Sequence, residues 1–174
     1  SFIERADPYN QYASQTTMPA KKDENGNWVD KRFCVDLRGP NEAMVPMAYR
    51  LPTPEELFDD CQGMKVFTAL DLRAGFHQLP LSAESKKVTA FWWNRELWQY
   101  TRMPFGLRNA SAIFQKVMDE EFRKAGLSHC AGAFVDDVLV MSPDLETHLR
   151  DVERVLQALR AVGLRVLPGK SVFA

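Results

Sequence analysis

Apolar positions along this chain repeat in two ways, every second residue or every third to fourth, and the changes between them mark its elements. Residues 65–72 are mostly apolar and predict a buried strand with a carboxylate, Asp71, near its end. Residues 32–37 alternate as a strand does, Gly39-Pro40 ends it, and a long turn-rich connection follows. Thr53-Pro54-Glu55-Glu56 combines an N-cap, a proline at the first helical position and a glutamate three residues after the cap, so a short helix runs to about Cys61. Residues 78–81, 88–93 and 97–103 read as short strands, the last broken by Pro104-Phe105-Gly106. Beyond Asn109 or Ser111, acting as cap, Ile113, Phe114, Val117, Met118, Glu121, Phe122 and Ala125 fall largely on one helical stripe that stops at Gly126. Residues 131–135 and 138–141 predict a tight hairpin with Asp136-Asp137 at its tip. Asp144 caps a second helix, with Leu149, Val152, Val155, Leu156, Leu159 and Val162 inside, and residues 164–167 read as a final strand. Residues 1–31 are polar and turn-rich, with a hairpin tip at Asn25-Gly26 and little core expected.

With residues 72–103 set aside as an insertion, the order from residue 65 is strand, helix, strand, strand, helix, strand. That is the split β-α-β, ferredoxin-like order, an α+β fold with a small antiparallel sheet and helices packed on one face.

Composition adds a class and removes several. At 174 residues, 45% hydrophobic and 26% charged, the chain suits one folded unit with a sizeable core. No run of about 18 apolar residues suggests a membrane span, and no basic-plus-apolar leader points to secretion. Cys34, Cys61 and Cys130 are odd in number and lack a C-x-x-C pair, which argues against a disulfide framework or a cysteine zinc site and for a reducing compartment. A net charge of −1 weighs against a polyanionic partner, but the charge is uneven. Residues 1–60 carry 7 basic and 11 acidic side chains, residues 61–126 carry 10 and 6. In the basic middle, Arg73, Lys86, Lys87, Arg95, Arg102 and Arg108 alternate with Phe91, Trp92, Trp93, Trp98 and Tyr100. Such a mixture suits a surface that holds phosphates and stacks bases; it also suits a solvated strand face over buried tryptophans.

The predicted topology makes Asp71 a neighbour of Asp136 and Asp137. Hard divalent cations such as Mg²⁺ are held by one or two carboxylates plus substrate phosphates, and two of them can drive an in-line displacement. Adjacent strand residues face opposite ways, so Asp136 and Asp137 both meet Asp71 only if the turn breaks the alternation. Asp71 and Asp136 are therefore the principal ligands expected and Asp137 a supporting one. Taken alone, Asp-Asp also fits a solvated turn.

Five blocks sharpen the choice: Lys21-Lys22-Asp23; residues 32–38 with Asn41; Leu70-Asp71-Leu72-Arg73-Ala74-Gly75-Phe76-His77-Gln78; Met103-Pro104-Phe105-Gly106-Leu107 with Asn109-Ala110 and Phe114-Gln115; and Phe134-Val135-Asp136-Asp137. In this order and spacing they resemble the reverse transcriptases of long-terminal-repeat retrotransposons and retroviruses, nearest the Ty3/gypsy group, from about Met18 onward. The resemblance implies an RNA-directed DNA polymerase that uses two Mg²⁺ ions, with Mn²⁺ as an alternative, a primed RNA or DNA template and deoxynucleoside triphosphates. It implies a polymerase palm plus a fingers subdomain: fingers over residues 1–64, with 1–17 poorly ordered, a palm strand at 65–71, a fingers/palm insertion at 72–103 and palm over 104–174. Thumb and ribonuclease H regions of a polyprotein are expected downstream, and an intracellular setting in cytoplasm, nucleus or virus-like particle.

The resemblance also assigns roles. Asp71, Asp136 and Asp137 match the metal-binding aspartates, and Phe76 the aromatic ring that excludes a ribose 2′-hydroxyl. Lys22, or Lys21, and Arg32 match residues that hold the triphosphate, and Phe105 and Gly106 a loop beside the nucleotide. Arg38, Asn41, Arg73 and Gln115 fall among nucleic-acid-binding positions, and Lys170 matches a lysine that protonates the leaving pyrophosphate. The chain departs from the pattern in three places: a longer hairpin over residues 25–31, Phe134 where a tyrosine is usual, and no cysteine in residues 170–174. Three other readings compete: a domesticated remnant that binds nucleic acid or protein without polymerising, an RNA-recognition module of the same strand order, and a hydrolytic metalloenzyme. The second lacks base-stacking aromatics on its central strands, and the third lacks ligand spacing among His77, His129 and His148.

Overall fold

The computed structural model describes residues 1–22, 25–31 and 33–174, the side chains of Lys21, Val29, Asp30 and Pro54 apart. In chain order the first elements are β1 (Ile3–Arg5), β2 (Thr16–Thr17), β3 (Ala20–Lys22), β4 (Trp28–Lys31), β5 (Cys34–Val35), α1 (Arg38–Ala43) and α2 (Pro54–Asp60). There follow β6 (Val66–Asp71), a 3₁₀ turn at Gly75–Gln78, α3 (Ala83–Val88), β7 (Phe91–Trp93) and β8 (Glu96–Tyr100). The last are α4 (Ala110–Lys124), β9 (Ala131–Phe134), β10 (Asp137–Ser142), α5 (Leu145–Ala161) and a 3₁₀ turn at Pro168–Lys170. No helix among the described residues is long and apolar enough to cross a membrane. The chain divides into two compact units, Ser1–Pro46 with Leu79–Arg108, and Met47–Gln78 with Asn109–Ala174. Residues 47–64 and 72–78 thus join the unit that holds β6, and 104–108 the other, where the sequence suggested different boundaries.

In the first unit β1, β8 and β7 form an antiparallel sheet in that order. Within residues 1–17, expected to be poorly ordered, Ile3–Arg5 supplies its first strand: Ile3 pairs with Tyr100, Arg5 with Trp98, and Ser14 bridges Phe91. The fully buried Phe91 packs edge-on against Phe33 and tilted against Tyr100, ring centroids 5.5 and 5.3 Å apart. Two short helices stand where strand and turn were expected. In α1 the residues Gly39-Pro40 lie inside the first turn, where a missing proline N–H costs nothing. In α3 the Ser82 hydroxyl accepts the Ser85 N–H, yet none of its residues is buried, so no apolar stripe announced it.

The second unit is the ferredoxin-like arrangement expected. Its antiparallel sheet runs β6-β10-β9, and Val166 and Val172 bridge Leu72 and Ala69 along the free edge of β6, as isolated pairs rather than a full strand. Alternation sends Thr68, Leu70, Val138, Val140, Ala131 and Ala133 to a buried face, which α4 and α5 cover. Both ends of α2 and α5 behave as read: Thr53 and Glu56 close a capping box, and the Asp144 carboxylate accepts the Thr147 N–H.

The buried stripe of α5 differs from the apolar one. His148, Asp151, Val155 and Leu159 face inward, whereas Leu149 is 65% exposed and Val162 also lies outside. The cause is a buried polar chain: Thr68 Oγ1 meets His148 Nε2 at 2.8 Å, His148 Nδ1 meets Ser142 Oγ at 3.0 Å, and Ser142 Oγ donates to Asp151 Oδ2 at 2.8 Å. Each buried polar atom there needs its partner, and the helix is turned to supply it. His148→Leu is therefore expected to cost about 1–3 kcal/mol by stranding two hydroxyls, whereas Leu149→Glu should change stability by about 0.5 kcal/mol or less. Denaturant unfolding of the two variants checks the orientation of α5.

Candidate active site

Asp71 ends β6 and Asp137 opens β10, and the antiparallel register sets them directly opposite each other. Asp137, expected as a supporting ligand, is thus the cross-strand partner of Asp71. The backbone of Asp71 is fixed on both sides: its N–H donates to Ser171 Oγ at 3.1 Å and its carbonyl accepts the Leu167 N–H at 2.8 Å.

Phe134 pairs with Asp137, which leaves Val135-Asp136 as a two-residue loop. Val135 takes a φ of +57°, a left-handed conformation rare for a β-branched residue and worth about 1–3 kcal/mol of strain. This breaks the alternation, as the presence of three carboxylates at one place requires. Asp136 leaves the ladder, its carbonyl accepts the Leu72 N–H at 3.1 Å, and its carboxylate lies over Gly75. A Cβ on Gly75 would stand 2.7 Å from Asp136 Oδ2, so this close approach requires glycine.

The three acids are gathered around the end of β6 at an electrostatic cost. Burial raises the Asp137 carboxyl above its ordinary value, and the charges of Asp136 and then Asp71 raise it further. Among the described residues the oxygens of the trio do not converge within 4.8 Å as a closed ligand set. An open set of this kind fits Mg²⁺, which keeps waters and takes substrate phosphate oxygens as its remaining ligands. A cavity of about 280 Å³ lies on the face of the sheet away from α4 and α5, lined by Asp71, Asp137, Phe134, Leu139, Lys170 and, from α2, Leu57 among others.

A buried amide holds the strained loop. Gln115, on α4, is fully buried; its Oε1 accepts the Val135 N–H at 2.8 Å, and its Nε2 donates to Ala133 O at 2.8 Å and to Asp119 Oδ1 at 2.9 Å. Asp119 Oδ2 in turn accepts the Tyr49 hydroxyl at 2.7 Å, which pushes the Tyr49 pKa up to about 12. Gln115 was expected to touch nucleic acid; its polar atoms are spent instead on the backbone that flanks Asp136.

The family model for "Reverse transcriptase (RNA-dependent DNA polymerase)" matches residues 20–174. The chain belongs to the reverse transcriptase family. It is 36% identical over 168 residues to the retrovirus-related Pol polyprotein from transposon gypsy of Drosophila melanogaster, covering 95% of this chain and 16% of that protein. It is 39% identical over 134 residues to the enzymatic polyprotein of Cauliflower mosaic virus, strain Strasbourg, covering 77% of this chain and 19% of that one. The chain therefore spans less than a fifth of the length of these relatives. Among solved structures, prototype foamy virus protease-reverse transcriptase superposes with a TM-score of 0.79 at 24% identity, over 99% of this chain and 22% of that one. A foamy viral protease-reverse transcriptase in complex with double-stranded DNA gives 0.80 at 22% identity, over 99% and 29%.

Within this reverse transcriptase fold the remaining expected residues divide between the two units. In the second, Phe76 lies in the 3₁₀ turn after Gly75 and packs edge-on against Phe114, centroids 5.8 Å apart. Arg73 is exposed, and Lys170 shares the cavity of Asp71 and Asp137. In the first unit, Asn41 is committed to the loop at residues 106–108: its Nδ2 donates to Gly106 O at 2.7 Å and its Oδ1 accepts the Arg108 N–H at 2.8 Å. That pairing fixes Asn41 against the loop that holds Phe105 and Gly106. Gly106 has a φ of +88° and Phe105 beside it is exposed. Arg38 is exposed and paired in two places with Asp36, whose carboxyl it draws down to about 2. Lys22 sits over the Trp28 ring, 4.5 Å from its centroid. Arg32 lies outside the described residues.

Sequence reading gave no role to Gly75, Val135, Tyr49 or Asp119. Asp119 had a signal, since it stands four residues after Gln115 on one helix face; Val135 had none.

Gly75→Ala is expected to displace the Asp136 carboxylate and weaken Mn²⁺ binding at this site by about 10- to 100-fold, as seen by metal titration with the fold retained by circular dichroism. A carboxyl raised on folding stabilises the fold below its ordinary pKa of 3.8 and loses that stabilisation as pH rises through the folded value. Asp137→Asn should accordingly raise the thermal midpoint at neutral pH, and the gain should shrink as the pH is lowered toward the ordinary carboxylate range.

Proposed function

We propose that this chain carries the nucleotidyl-transfer centre of an RNA-directed DNA polymerase, joining a primer 3′-hydroxyl to the α-phosphate of a deoxynucleotide with release of pyrophosphate. The observation that carries the reading is the gathering of Asp71, Asp136 and Asp137 at the end of β6, at the cost of like-charge repulsion, in a domain of the reverse transcriptase family. A fold maintains such repulsion at a site meant for cations. The three aspartates would hold two Mg²⁺ ions, or Mn²⁺ in their place. Such ions supply Lewis-acid stabilisation of the transferring phosphoryl group and of the attacking and departing oxygens.

The chain's own residues do the rest by positioning. Phe76, five residues beyond Asp71, is the ring that would meet a ribose 2′-hydroxyl and so select deoxynucleotides. Lys170, which lines the cavity of Asp71 and Asp137, would give a proton to pyrophosphate. Lys22 and Arg32 serve the triphosphate as an ammonium and a forked guanidinium, and Phe105 and Gly106 the nucleotide. Arg38 and Arg73, both exposed, serve the nucleic-acid backbone. A primed RNA or DNA template is the partner, in line with foamy viral relatives solved with double-stranded DNA and with an RNA/DNA hybrid. The relatives are polyproteins, so thumb and ribonuclease H segments are proposed to accompany this domain, within the cell.

Primer extension on an RNA template with deoxynucleotides and Mg²⁺ tests this, using the chain both as given and extended by its downstream sequence. Extension that Asp136→Asn abolishes is expected. Its absence from the extended chain as well would leave a nucleic-acid-binding remnant as the reading. In the same assay Phe76→Ala should raise ribonucleotide use relative to deoxynucleotide use by about 10- to 100-fold; unchanged discrimination would remove Phe76 from its role.

A further inference from the structure

On the helical side of the sheet, away from the three aspartates, the fold brings together a second set of ligating groups. His129, Cys130 and Asp151 each present one donor atom, and the three lie within 4.8 Å of one another. They come from different elements: His129 and Cys130 from the turn that precedes β9, Asp151 from α5. Spacing along the chain could not reveal such a set, because its third member arrives only when α5 docks.

Two of the three donors are held in place. The backbone of Cys130 is tied at both ends, its N–H donating to Leu127 O at 3.0 Å and its carbonyl accepting the Met141 N–H at 2.9 Å. Asp151 Oδ2 accepts from the Ser142 hydroxyl, itself fixed by His148 and, through it, Thr68, which leaves Oδ1 for an ion. A ligand carboxylate oriented by an outer hydrogen bond is what metal centres use to fix their geometry. Cys130 and Asp151 are buried while His129 is exposed, so the set is walled on one side and reached from solvent on the other.

We propose that His129, Cys130 and Asp151 bind a Zn²⁺ ion through Sγ, an imidazole nitrogen and one carboxylate oxygen, with water in the fourth position. The donor types select the metal: thiolate and imidazole suit Zn²⁺, whereas Mg²⁺ takes oxygen ligands. As the Cys130 Sγ–Zn bond forms, the thiol proton leaves to solvent. The ion fastens α5 to the turn from which β9 runs to the Val135-Asp136 loop. Arg154 competes for Asp151: its Nη1 lies 3.9 Å from Asp151 Oδ1, while its Nη2 donates to Ala125 O at 3.3 Å and its side chain is half-exposed.

Titration of the full chain with Co²⁺ alone, followed by Zn²⁺, tests the site. The readout is thiolate-to-Co²⁺ charge-transfer absorption, to which the sulfur-free aspartate site is blind. The band should saturate at one equivalent and vanish when Zn²⁺ is added. It should be lost in Cys130→Ser, persist in Cys34→Ser and Cys61→Ser, and require at least tenfold more Co²⁺ in His129→Ala, whose exposed side chain makes it safe for the fold. Arg154→Met should lower the Co²⁺ needed. Absence of the band, its survival in Cys130→Ser, or unchanged Co²⁺ affinity in His129→Ala overturns the proposal.

Discussion

Three carboxylates repel one another, and this fold brings them together through the ladder between β6 and β10. Its register puts Asp137 across from Asp71 and, because alternate residues face opposite ways, a slip of one residue would turn Asp137 into the helical layer. Six consecutive pairs, from Asp137 with Asp71 to Ser142 with Val66, make such a slip expensive. Asp136 cannot join through the ladder at all and reaches the site through a loop that leaves regular geometry at Val135. The stability of the ladder and the strain of the loop serve one end, to hold negative charge where the chain alone would disperse it.

That work falls on buried polar groups more than on apolar packing. Gln115 satisfies the N–H of Val135 and the carbonyl of Ala133, so the loop is fastened from the helix beneath it, and Asp119 with Tyr49 fixes Gln115 in turn. A parallel chain from Thr68 through His148 and Ser142 to Asp151 locks α5 against the same sheet. Networks of this kind specify one orientation where an apolar interface would tolerate several. They also explain why the palm side of the molecule carries buried histidine, glutamine and aspartate without loss of definition.

Much of this could be read from the residues. The order β6, α4, β9, β10 and α5, the capping box at Thr53, the Asp144 cap and the placing of Asp71 beside Asp136-Asp137 all follow from period and punctuation. What escaped has physical causes. The apolar stripe of α5 was right at Val155 and Leu159 and wrong at Leu149 and Val162, because hydrogen bonds, which leave no periodic trace, drew His148 and Asp151 inward. The helix α3 was missed because it buries nothing, and α1 because glycine followed by proline reads as a stop unless it falls in the first turn. Asn41 and Gln115 were linked with nucleic acid by resemblance, which marks a residue as belonging to a site without saying whether it faces the ligand or the scaffold.

Gly75 offers a last consequence. No L side chain can be added there without moving the Asp136 carboxylate, and the position lies on the chain right after β6, so it joins the two halves of the acidic site by the absence of atoms. A side chain added there would act on the site without touching metal or substrate, by pushing aside a carboxylate that the loop at Val135 presents.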